Sequence, residues 1–342
     1  MHILVVTDAW KPQVNGVVRS LESVSRALRE IGTRVDFLTP QGFATVPLPT
    51  YAEIRLALAT PGAVAKQIEA VAPEHIHIAT EGPLGFAARR YCLRNKRIFT
   101  TSYHTRFPEY ISARIRIPEE ITYAWLRRFH NASNGIMVAT KSIAEDLRNR
   151  GFQRLMRWSR GVDHSVFNPA KATTLDLPRP IFFFAGRLAP EKNLKAFLAL
   201  DLPGSKLIAG DGPSRRALQA SYPGAHFIGM QTSEALAVLY ASADVFVFPS
   251  RTDTFGVVLI EALACGLPVP GPLDVIGQTG AGILDTDLRA ACLAALQIPR
   301  DRARAHGLNF TWEKSAGQFL DNVKLARSAP ERLPDANFGP LC

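Results

Sequence analysis

Short apolar runs alternate with amphipathic segments along most of this 342-residue chain. The first apolar run, ILVV at residues 3–6, precedes a stretch in which Val18, Leu21, Val24 and Leu28 recur at helical spacing. Later, the run HIHIAT precedes the helix-type segment GPLGFAARRYCLR. Because parallel strands need a long crossover connection, strands that alternate with helices predict an α/β fold with parallel sheets.

The composition fits two domains of ordinary size. The chain is 47% hydrophobic and 20% charged, which carries no signature of disorder. No apolar run reaches the roughly 18 to 20 residues that span a bilayer, and MHILVVTDAW lacks the basic start of a secretory signal, so we expect a cytoplasmic protein. The four cysteines show no CxxC spacing, which predicts buried thiols and neither a zinc site nor a disulfide framework.

The segment PSRTDTFGVVLIEALACGLPV, residues 249–269, carries the strongest functional signal. A strand-type run ends at Pro249, a polar loop leads to Asp253, and an apolar helix is predicted from about Phe255. In an open parallel sheet, such a junction forms a crevice that favours anions. Glu261, eight positions after Asp253, suits the two vicinal hydroxyls of a ribose. An N-cap aspartate and a solvated glutamate are the alternative for these two residues taken alone.

A second junction, PIFFFAGRLAPEKNL, places Arg187 and Lys192 around a short loop after the strand-type residues 181–184. Two fixed cations beside a helix N-terminus suit a diphosphate, and they stabilise the negative charge that builds on it as it leaves. In a third junction, LIAGDGP, Gly210 predicts a tight turn with a structural role first.

Two candidate positions precede residue 168. Asn15 and Gly16 lie between the first strand and the first helix, where glycine allows close approach of a ligand. His104 follows the strand-type run RIFTTSY, where a doubly wound sheet exposes its loops. A turn without a ligand is the alternative for the first pair, and a histidine packed between aromatic neighbours is the alternative for His104. His75 and His77 alternate with apolar neighbours and are interpreted as structural.

The ordered motifs resemble the retaining nucleotide-sugar glycosyltransferases of family 4, near the bacterial α-mannosyltransferase and diacylglycerol glycosyltransferase branch, over nearly the whole chain. The family's E-x7-E motif appears here as Asp253 and Glu261, with the first carboxylate one methylene shorter. The resemblance implies the GT-B architecture, two Rossmann-like parallel-sheet domains facing across a cleft. Residues 1–168 would form the acceptor-side domain, 169–179 a linker, 180–310 the nucleotide-sugar-binding domain, and 311–342 a C-terminal helix and tail.

The resemblance also implies a role for each site residue. Arg187 and Lys192 would hold the leaving diphosphate, Asp253 would orient the sugar, Glu261 would hold the ribose, and His104 would support the reacting carbon. Further contacts to the donor are expected from Asn15, Gly16, Gly186, Gly210, Met230, Thr254, Phe255, Gly256 and Val257. The donor would be a UDP-sugar or GDP-mannose that transfers a hexosyl or uronosyl unit by front-face substitution. No metal or other cofactor is required in that scheme.

Positive charge is concentrated between Phe86 and Arg160, where 16 Lys or Arg face 5 Asp or Glu, and this excess accounts for the whole net charge of +10. With Tyr123, Trp125 and Phe129 among them, these cations suit an anionic membrane surface, each adding about 1 kcal/mol at best. We therefore expect a lipid or glycan acceptor and peripheral attachment to the inner face of the cell membrane. A solvated basic surface is the alternative, and nucleic acid is not predicted because no nucleic-acid module is present.

Two other classes of function stay open at this point. A nucleotide-sugar epimerase of GT-B shape would turn over the donor without an acceptor, and a non-catalytic module would bind the nucleotide only. A dinucleotide-dependent oxidoreductase is disfavoured, because DAWKPQVNGVV has no G-x-G-x-x-G triplet. The non-catalytic alternative is motivated by Val269, which meets PGPLDVIGQTGAG after fewer residues than in most relatives.

Overall fold

The structure is a computed structural model that describes residues 1–13, 15–48, 51–106, 108–109, 118–250, 253–271, 273–277, 279–283 and 285–328. The chain divides into two compact units. The N-terminal unit contains Met1–Arg160 and the C-terminal helix Trp312–Ser328, and the C-terminal unit contains Gly161–Thr311.

The N-terminal unit is built on a six-stranded parallel sheet. The strands of the whole unit, six in this sheet and two in a separate hairpin, are β1 (His2–Val6), β2 (Arg34–Leu38), β3 (Thr45–Leu48), β4 (Tyr51–Ala57), β5 (His75–Ile78), β6 (Phe99–Tyr103), β7 (Ile136–Val138) and β8 (Leu155–Arg157). The sheet order is β2-β1-β5-β6-β7-β8, and β3 pairs with β4 in a separate antiparallel hairpin. The helices are Gly16–Glu30, Pro61–Val71, Pro83–Arg94, Glu119–His130, Lys141–Asn149 and Trp312–Ser328. The order of the strands reverses between β1 and β5, which marks the topological switch point.

Both faces of this sheet are buried, as a parallel sheet requires. Ile3 and Val5 of β1 pack on one face with Leu21 of the first helix and Phe319 of the C-terminal helix. Leu4 and its alternate neighbours pack on the other face with the helices Pro61–Val71 and Pro83–Arg94. The alternation follows the two-residue period of a strand, and it encloses β1 completely.

The C-terminal unit has a second parallel sheet. Its strands are β9 (Ile181–Ala185), β10 (Ser205–Ala209), β11 (His226–Gly229), β12 (Val245–Phe246), β13 (Val269–Pro270) and β14 (Gly282–Ile283). The order β11-β10-β9-β12 is continued by the pair β13-β14, since the Phe246 amide donates to the Pro268 carbonyl at 2.9 Å. The helices are Leu194–Leu198, Arg215–Ser221, Ser233–Ser242, Val257–Ala264, Leu273–Ile276, Leu288–Ala295 and Arg300–Gly307. Here the switch point lies between β9 and β12.

The predicted α/β class with parallel sheets is confirmed, and the domain boundaries drawn from the sequence stay predictions. In the structure, the compact C-terminal unit starts at Gly161. The Val162 amide donates to the Phe310 carbonyl at 3.1 Å, and the Thr173 amide donates to Ser242 Oγ at 2.9 Å. The second bond attaches the expected linker, residues 169–179, to the C-terminal unit at Thr173.

The shortened segment after Val269 is still integrated into the sheet. Val269 pairs with Gly282 and Pro270 with Ile283, and the Gly271 amide donates to the Ile283 carbonyl at 3.2 Å. β13 is therefore a strand of two residues that keeps its pairing with β14.

Two expectations from composition can be compared with the structure. Cys92, Cys265 and Cys292 are free and buried, and burial raises the pKa of each thiol to about 12. No helix in the described part of the chain is long and apolar enough to cross a bilayer.

Candidate active site

The carboxyl ends of β9 and β12 bring Lys192 and Asp253 into direct contact. Lys192 Nζ donates to Asp253 Oδ1 at 2.5 Å, and the two side chains are only 21% and 18% exposed. The other oxygen, Asp253 Oδ2, is buried and accepts no hydrogen bond within the described ranges. Buried acceptors are normally satisfied, so an unused carboxylate oxygen at a switch point is suited to a ligand that supplies hydroxyl donors.

The turn that carries Lys192 is held against the end of β12. Asn193 has left-handed backbone geometry with φ of 52°, and its side-chain amide donates to the Pro249 carbonyl at 3.2 Å. Ser250 Oγ donates to the Glu191 carbonyl at 3.5 Å. These bonds place the ammonium group beside the loop that contains Asp253, a contact that the sequence analysis did not foresee.

Glycines allow the neighbouring turns to approach one another at backbone distance. Gly210 has φ of +128°, and a Cβ atom there would lie 1.9 Å from the Gly186 carbonyl oxygen. The Gly210 amide donates to the Gly229 carbonyl at 2.7 Å, and the Gly186 amide donates to the Ala209 carbonyl at 3.1 Å. The turns after β9, β10 and β11 are thus joined through main-chain groups. Met230 follows β11 and is 66% exposed, which leaves an apolar side chain at the same sheet edge.

The helix Val257–Ala264 begins at Gly256, whose φ of +78° favours glycine. Phe255, just before it, is buried with its ring edge-on to Phe310 at 6.1 Å between centroids. A contribution of Phe255 to ligand binding would therefore come from its backbone. Thr254 and Val257, on either side of this pair, are half-buried.

Glu261 lies inside this helix and is only 4% exposed. Tyr240 Oη donates to Glu261 Oε2 at 3.3 Å. The carboxylate is thus held inside the C-terminal unit. Its role toward a bound ribose stays a prediction.

In the N-terminal unit, His104 follows β6 and is paired with a buried arginine. Arg160 Nη2 donates to His104 Nδ1 at 3.1 Å, and Arg160 is only 4% exposed. The guanidinium carbon lies 4.2 Å from the centroid of the Trp158 ring. Burial, reinforced by the Arg160 charge, lowers the pKa of His104 well below its usual range. The sequence analysis counted Arg160 among the surface charges. The indication that Arg160 is buried is its position two residues after Trp158.

Asp8 is a second residue whose role the sequence did not reveal. Its carboxylate accepts hydrogen bonds from the Leu84 amide at 2.9 Å, the Gly85 amide at 3.3 Å and Thr80 Oγ1 at 3.0 Å. Burial raises the pKa of Asp8 despite these bonds. The Asp8 carboxylate therefore occupies the N-terminus of the helix Pro83–Arg94, the position at which an open switch point would bind a phosphate.

Asn15 caps the first helix of the N-terminal unit. Asn15 Oδ1 accepts from the amides of Val17 and Val18, both at 3.0 Å. A Cβ atom at Gly16 would meet nothing within 4 Å, so packing does not require glycine there. The structure thus gives Asn15 a local structural role, and it leaves open space beside Gly16.

The interpretation of His75 and His77 as structural agrees with their surroundings. Both are fully buried, and Thr100 Oγ1 lies 2.9 Å from His75 Nε2 and from His77 Nδ1. Ser102 Oγ lies 2.7 Å from His77 Nε2. These contacts satisfy both ring nitrogens of His77 and Nε2 of His75, whereas His75 Nδ1 has no hydrogen-bond partner within the described residues.

Several arginines between residues 86 and 160 bind groups of the protein itself. Arg106 pairs with Glu109 at 3.0 Å and with Asp146 at 3.1 Å. Arg127 donates to the Arg150 carbonyl at 2.9 Å. Other arginines here also bind backbone carbonyls: Arg89, Arg97 and Arg154. Arg114 and Arg116 lie outside the described residues. Among the described residues, carboxylates pair with Arg106 and Arg150, and the carbonyl-bound arginines keep their charge.

Both units of the chain match known protein families. The family model described as Glycosyltransferase Family 4 matches residues 14–166, and the model described as Glycosyl transferases group 1 matches residues 179–296. The structure is similar to that of sucrose-phosphate synthase from Thermosynechococcus elongatus, with a TM-score of 0.77 and 20% identity over 96% of this chain and 99% of the other. It is also similar to HepE from Anabaena in complex with UDP, with a TM-score of 0.69 and 15% identity over 95% and 100%. These likenesses show that the chain has the GT-B fold.

Relatives in sequence define the family more closely. The chain is 31% identical to a GDP-mannose-dependent alpha-mannosyltransferase of Mycobacterium tuberculosis over 83% of each chain. It is 28% identical to a Corynebacterium glutamicum protein with the same description over 99% of this chain and 92% of the other. It is 29% identical to the sulfoquinovosyl transferase SQD2 of Arabidopsis thaliana over 78% and 60%. The chain belongs to glycosyltransferase family 4.

Proposed function

We propose that this enzyme transfers a hexosyl unit from a nucleotide sugar, with retention of anomeric configuration, to a lipid-borne acceptor. The observation that carries the donor part is the contact between Lys192 and Asp253 at the switch point of the C-terminal unit. The ammonium group supplies positive charge for a diphosphate, and Asp253 Oδ2 supplies an acceptor for sugar hydroxyls. Both groups are held by the turns after β9 and β12.

The chemistry follows from these positions. Lys192 has three N–H donors, so it can keep its bond to Asp253 while it contacts a phosphate oxygen. As the bond between the sugar and the diphosphate breaks, negative charge grows on the leaving group, and a fixed cation lowers the barrier. Arg187, in the same turn, adds a planar donor fork suited to phosphate. In this scheme His104 supports the reacting end of the sugar, and no protein nucleophile is needed.

The relatives favour GDP-mannose as the donor. Two relatives that span most of this chain are described as GDP-mannose-dependent alpha-mannosyltransferases, whereas the solved HepE neighbour holds UDP. The test is transfer by the purified protein from a panel of labelled GDP- and UDP-sugars, with membrane lipids as acceptors and products resolved by mass. Transfer from GDP-mannose is expected, and donor turnover that needs no acceptor would instead indicate an epimerase.

Asp253 and Glu261 should differ in what they bind. Asp253→Asn is expected to lower transfer while nucleotide affinity survives, because this side chain contacts the sugar. Glu261→Gln is expected to weaken the nucleotide itself by about tenfold, the value of one hydrogen bond to a charged group. Calorimetry with GDP and UDP measures both effects, and equal losses of nucleotide affinity in the two variants would contradict the separate roles.

The acceptor part rests on a basic and apolar surface of the N-terminal unit, here called the lipid-facing patch. Phe86 and Trp125 join the helices Pro83–Arg94 and Glu119–His130, with ring centroids 5.0 Å apart. The exposed outer residues of the two helices form the patch: Arg90, Leu93, Arg94, Ile121, Trp125 and Arg128. Ile121 is 62% and Trp125 48% exposed. Large apolar side chains interleaved with cations suit the surface of an anionic bilayer.

Replacing Arg90, Arg94 and Arg128 by Gln is expected to lower the affinity for phosphatidylglycerol vesicles by one to two orders of magnitude, because each cation contributes about 1 kcal/mol. Co-sedimentation with the vesicles measures this affinity. Wild-type binding should fall as salt shortens the screening length from about 10 Å at 0.1 M toward 3 Å at 1 M. The matched control removes three exposed cations elsewhere: Arg26, Lys66 and Arg216. Equal binding by the two triple variants would exclude the lipid-facing patch as the docking surface.

A further inference from the structure

Arg160 is a buried cation without an acidic partner. No carboxylate in the described part of the chain forms an ion pair with it, and burial alone lowers its pKa to about 9. Instead, Arg160 Nη1 donates to the carbonyls of Trp158 at 2.7 Å and Ser159 at 3.2 Å, and the guanidinium lies over the Trp158 ring. Burying an unpaired charge is costly, so a position that keeps one is a candidate for function.

The segment that carries Arg160 is held rigidly. Trp158 is fully buried, and its indole Nε1 donates to Ser315 Oγ at 3.1 Å, while Ser315 Oγ donates to the Ser159 carbonyl at 2.8 Å. The Trp158 ring also meets His104 edge-on, with centroids 5.7 Å apart. The C-terminal helix thus fixes the tryptophan, and the tryptophan fixes both the guanidinium and the imidazole.

The bond between Arg160 and His104 determines which imidazole nitrogen carries the proton. A guanidinium has donors only, so His104 Nδ1 must be the acceptor at 3.1 Å. A neutral imidazole has a single proton, which is then on Nε2. A second proton on Nδ1 would place two donors and two positive charges against each other.

We propose that Arg160 is a positioning residue that holds His104 in the neutral form with its proton on Nε2, as a permanent hydrogen-bond donor to the substrate. This rests on the proposed function only in the identity of the group that accepts from Nε2. The titratable and charged groups that act on His104 are Arg160, His77 and His130, and the charge of Arg160 opposes protonation of His104. The donor would therefore be unchanged around neutral pH.

Long-range ¹H–¹⁵N spectra of the histidine side chains test the proposal on the intact protein, with His104 assigned from a His104→Gln variant. Wild-type His104 should show a protonated Nε2 and an unprotonated Nδ1 from pH 6 to 8. In Arg160→Gln, His104 stays buried but the opposing charge is gone, so the pKa of His104 should rise and the single Nε2 form should be lost. The acid limb of transfer should move to higher pH, and the rate should fall about tenfold. Arg160→Lys, which keeps the charge, should restore part of the Nε2 form.

Arg154→Gln is the matched control, because Arg154 also lies in the N-terminal unit and donates to carbonyls, those of Ser133 and Asn131. It should leave the His104 spectrum and the pH profile of transfer unchanged. A wild-type His104 protonated on Nδ1, or titrating between pH 6 and 8, would overturn the proposal even if no Arg160 variant folds. If His104→Gln retains full transfer while the Nε2 form is observed, the role of His104 in transfer fails and its protonation state stands.

Discussion

Lys192→Ala is expected to lower the rate of sugar transfer by about 10²- to 10³-fold, which corresponds to roughly 2.7 to 4 kcal/mol of transition-state stabilisation. The reason is that Lys192 Nζ, paired with Asp253 at 2.5 Å, is held where charge develops on the leaving diphosphate. The free energy of unfolding should fall by only about 1 kcal/mol, since the pair is partly exposed. Steady-state transfer and chemical denaturation on the same preparation measure the two effects.

Lys195→Ala is the control for this variant. Lys195 lies three residues further along, in the helix Leu194–Leu198, and is exposed. It should keep near-normal transfer and stability. Arg187→Ala should resemble Lys192→Ala, because both cations belong to the turn after β9. Normal turnover by either Arg187→Ala or Lys192→Ala would show that the diphosphate leaves from another site.

Gly210→Ala is expected to destabilise the C-terminal unit by about 2 to 4 kcal/mol. Two costs add: φ of +128° is unfavourable for any residue with a Cβ atom, and that atom would lie 1.9 Å from the Gly186 carbonyl oxygen. The neighbour is backbone and cannot rotate away, so the turns after β9 and β10 must separate. Denaturant unfolding measures the loss of stability. Nucleotide affinity should fall as well, because Gly186 and Lys192 both belong to the turn after β9.

Gly224→Ala provides the matched substitution in the same unit. A Cβ atom there meets nothing within 4 Å, and its φ lies outside the positive range that disfavours alanine. Alanine should be neutral or stabilise by about 0.4 to 1 kcal/mol, because it restricts the unfolded chain. If the two variants lost similar stability, close backbone approach at Gly210 would not be the cause.

The sequence by itself predicted elements whose cause is local. The helical spacing of Val18, Leu21, Val24 and Leu28 predicts the helix Gly16–Glu30, in which all four are buried. The strand-type runs before Gly186 and Pro249 predict junctions that the structure forms after β9 and β12. Periodicity and turn residues act over a few positions, so these features can be read without knowledge of the fold.

The motifs also predicted the family, because glycines and charged residues recur in a fixed order along both halves of the chain. The roles assigned to Asn15, Met230, Glu261 and the other site residues stay predictions. The extent of burial could not be read from the sequence: Glu261 is only 4% exposed beside Tyr240, because the exposure of a residue in an apolar helix depends on what packs against it.

Tertiary structure alone decided which charged groups meet. Lys192 and Asp253 are 61 positions apart, and His104 and Arg160 are 56 apart. Asp8 occupies the terminus of a helix that begins 75 residues later, and several arginines of the basic segment donate to backbone carbonyls. Each of these contacts is set by which strands are neighbours and where they end. Sequence periodicity records the burial of one face of one element, whereas these contacts depend on the order of strands in the sheet.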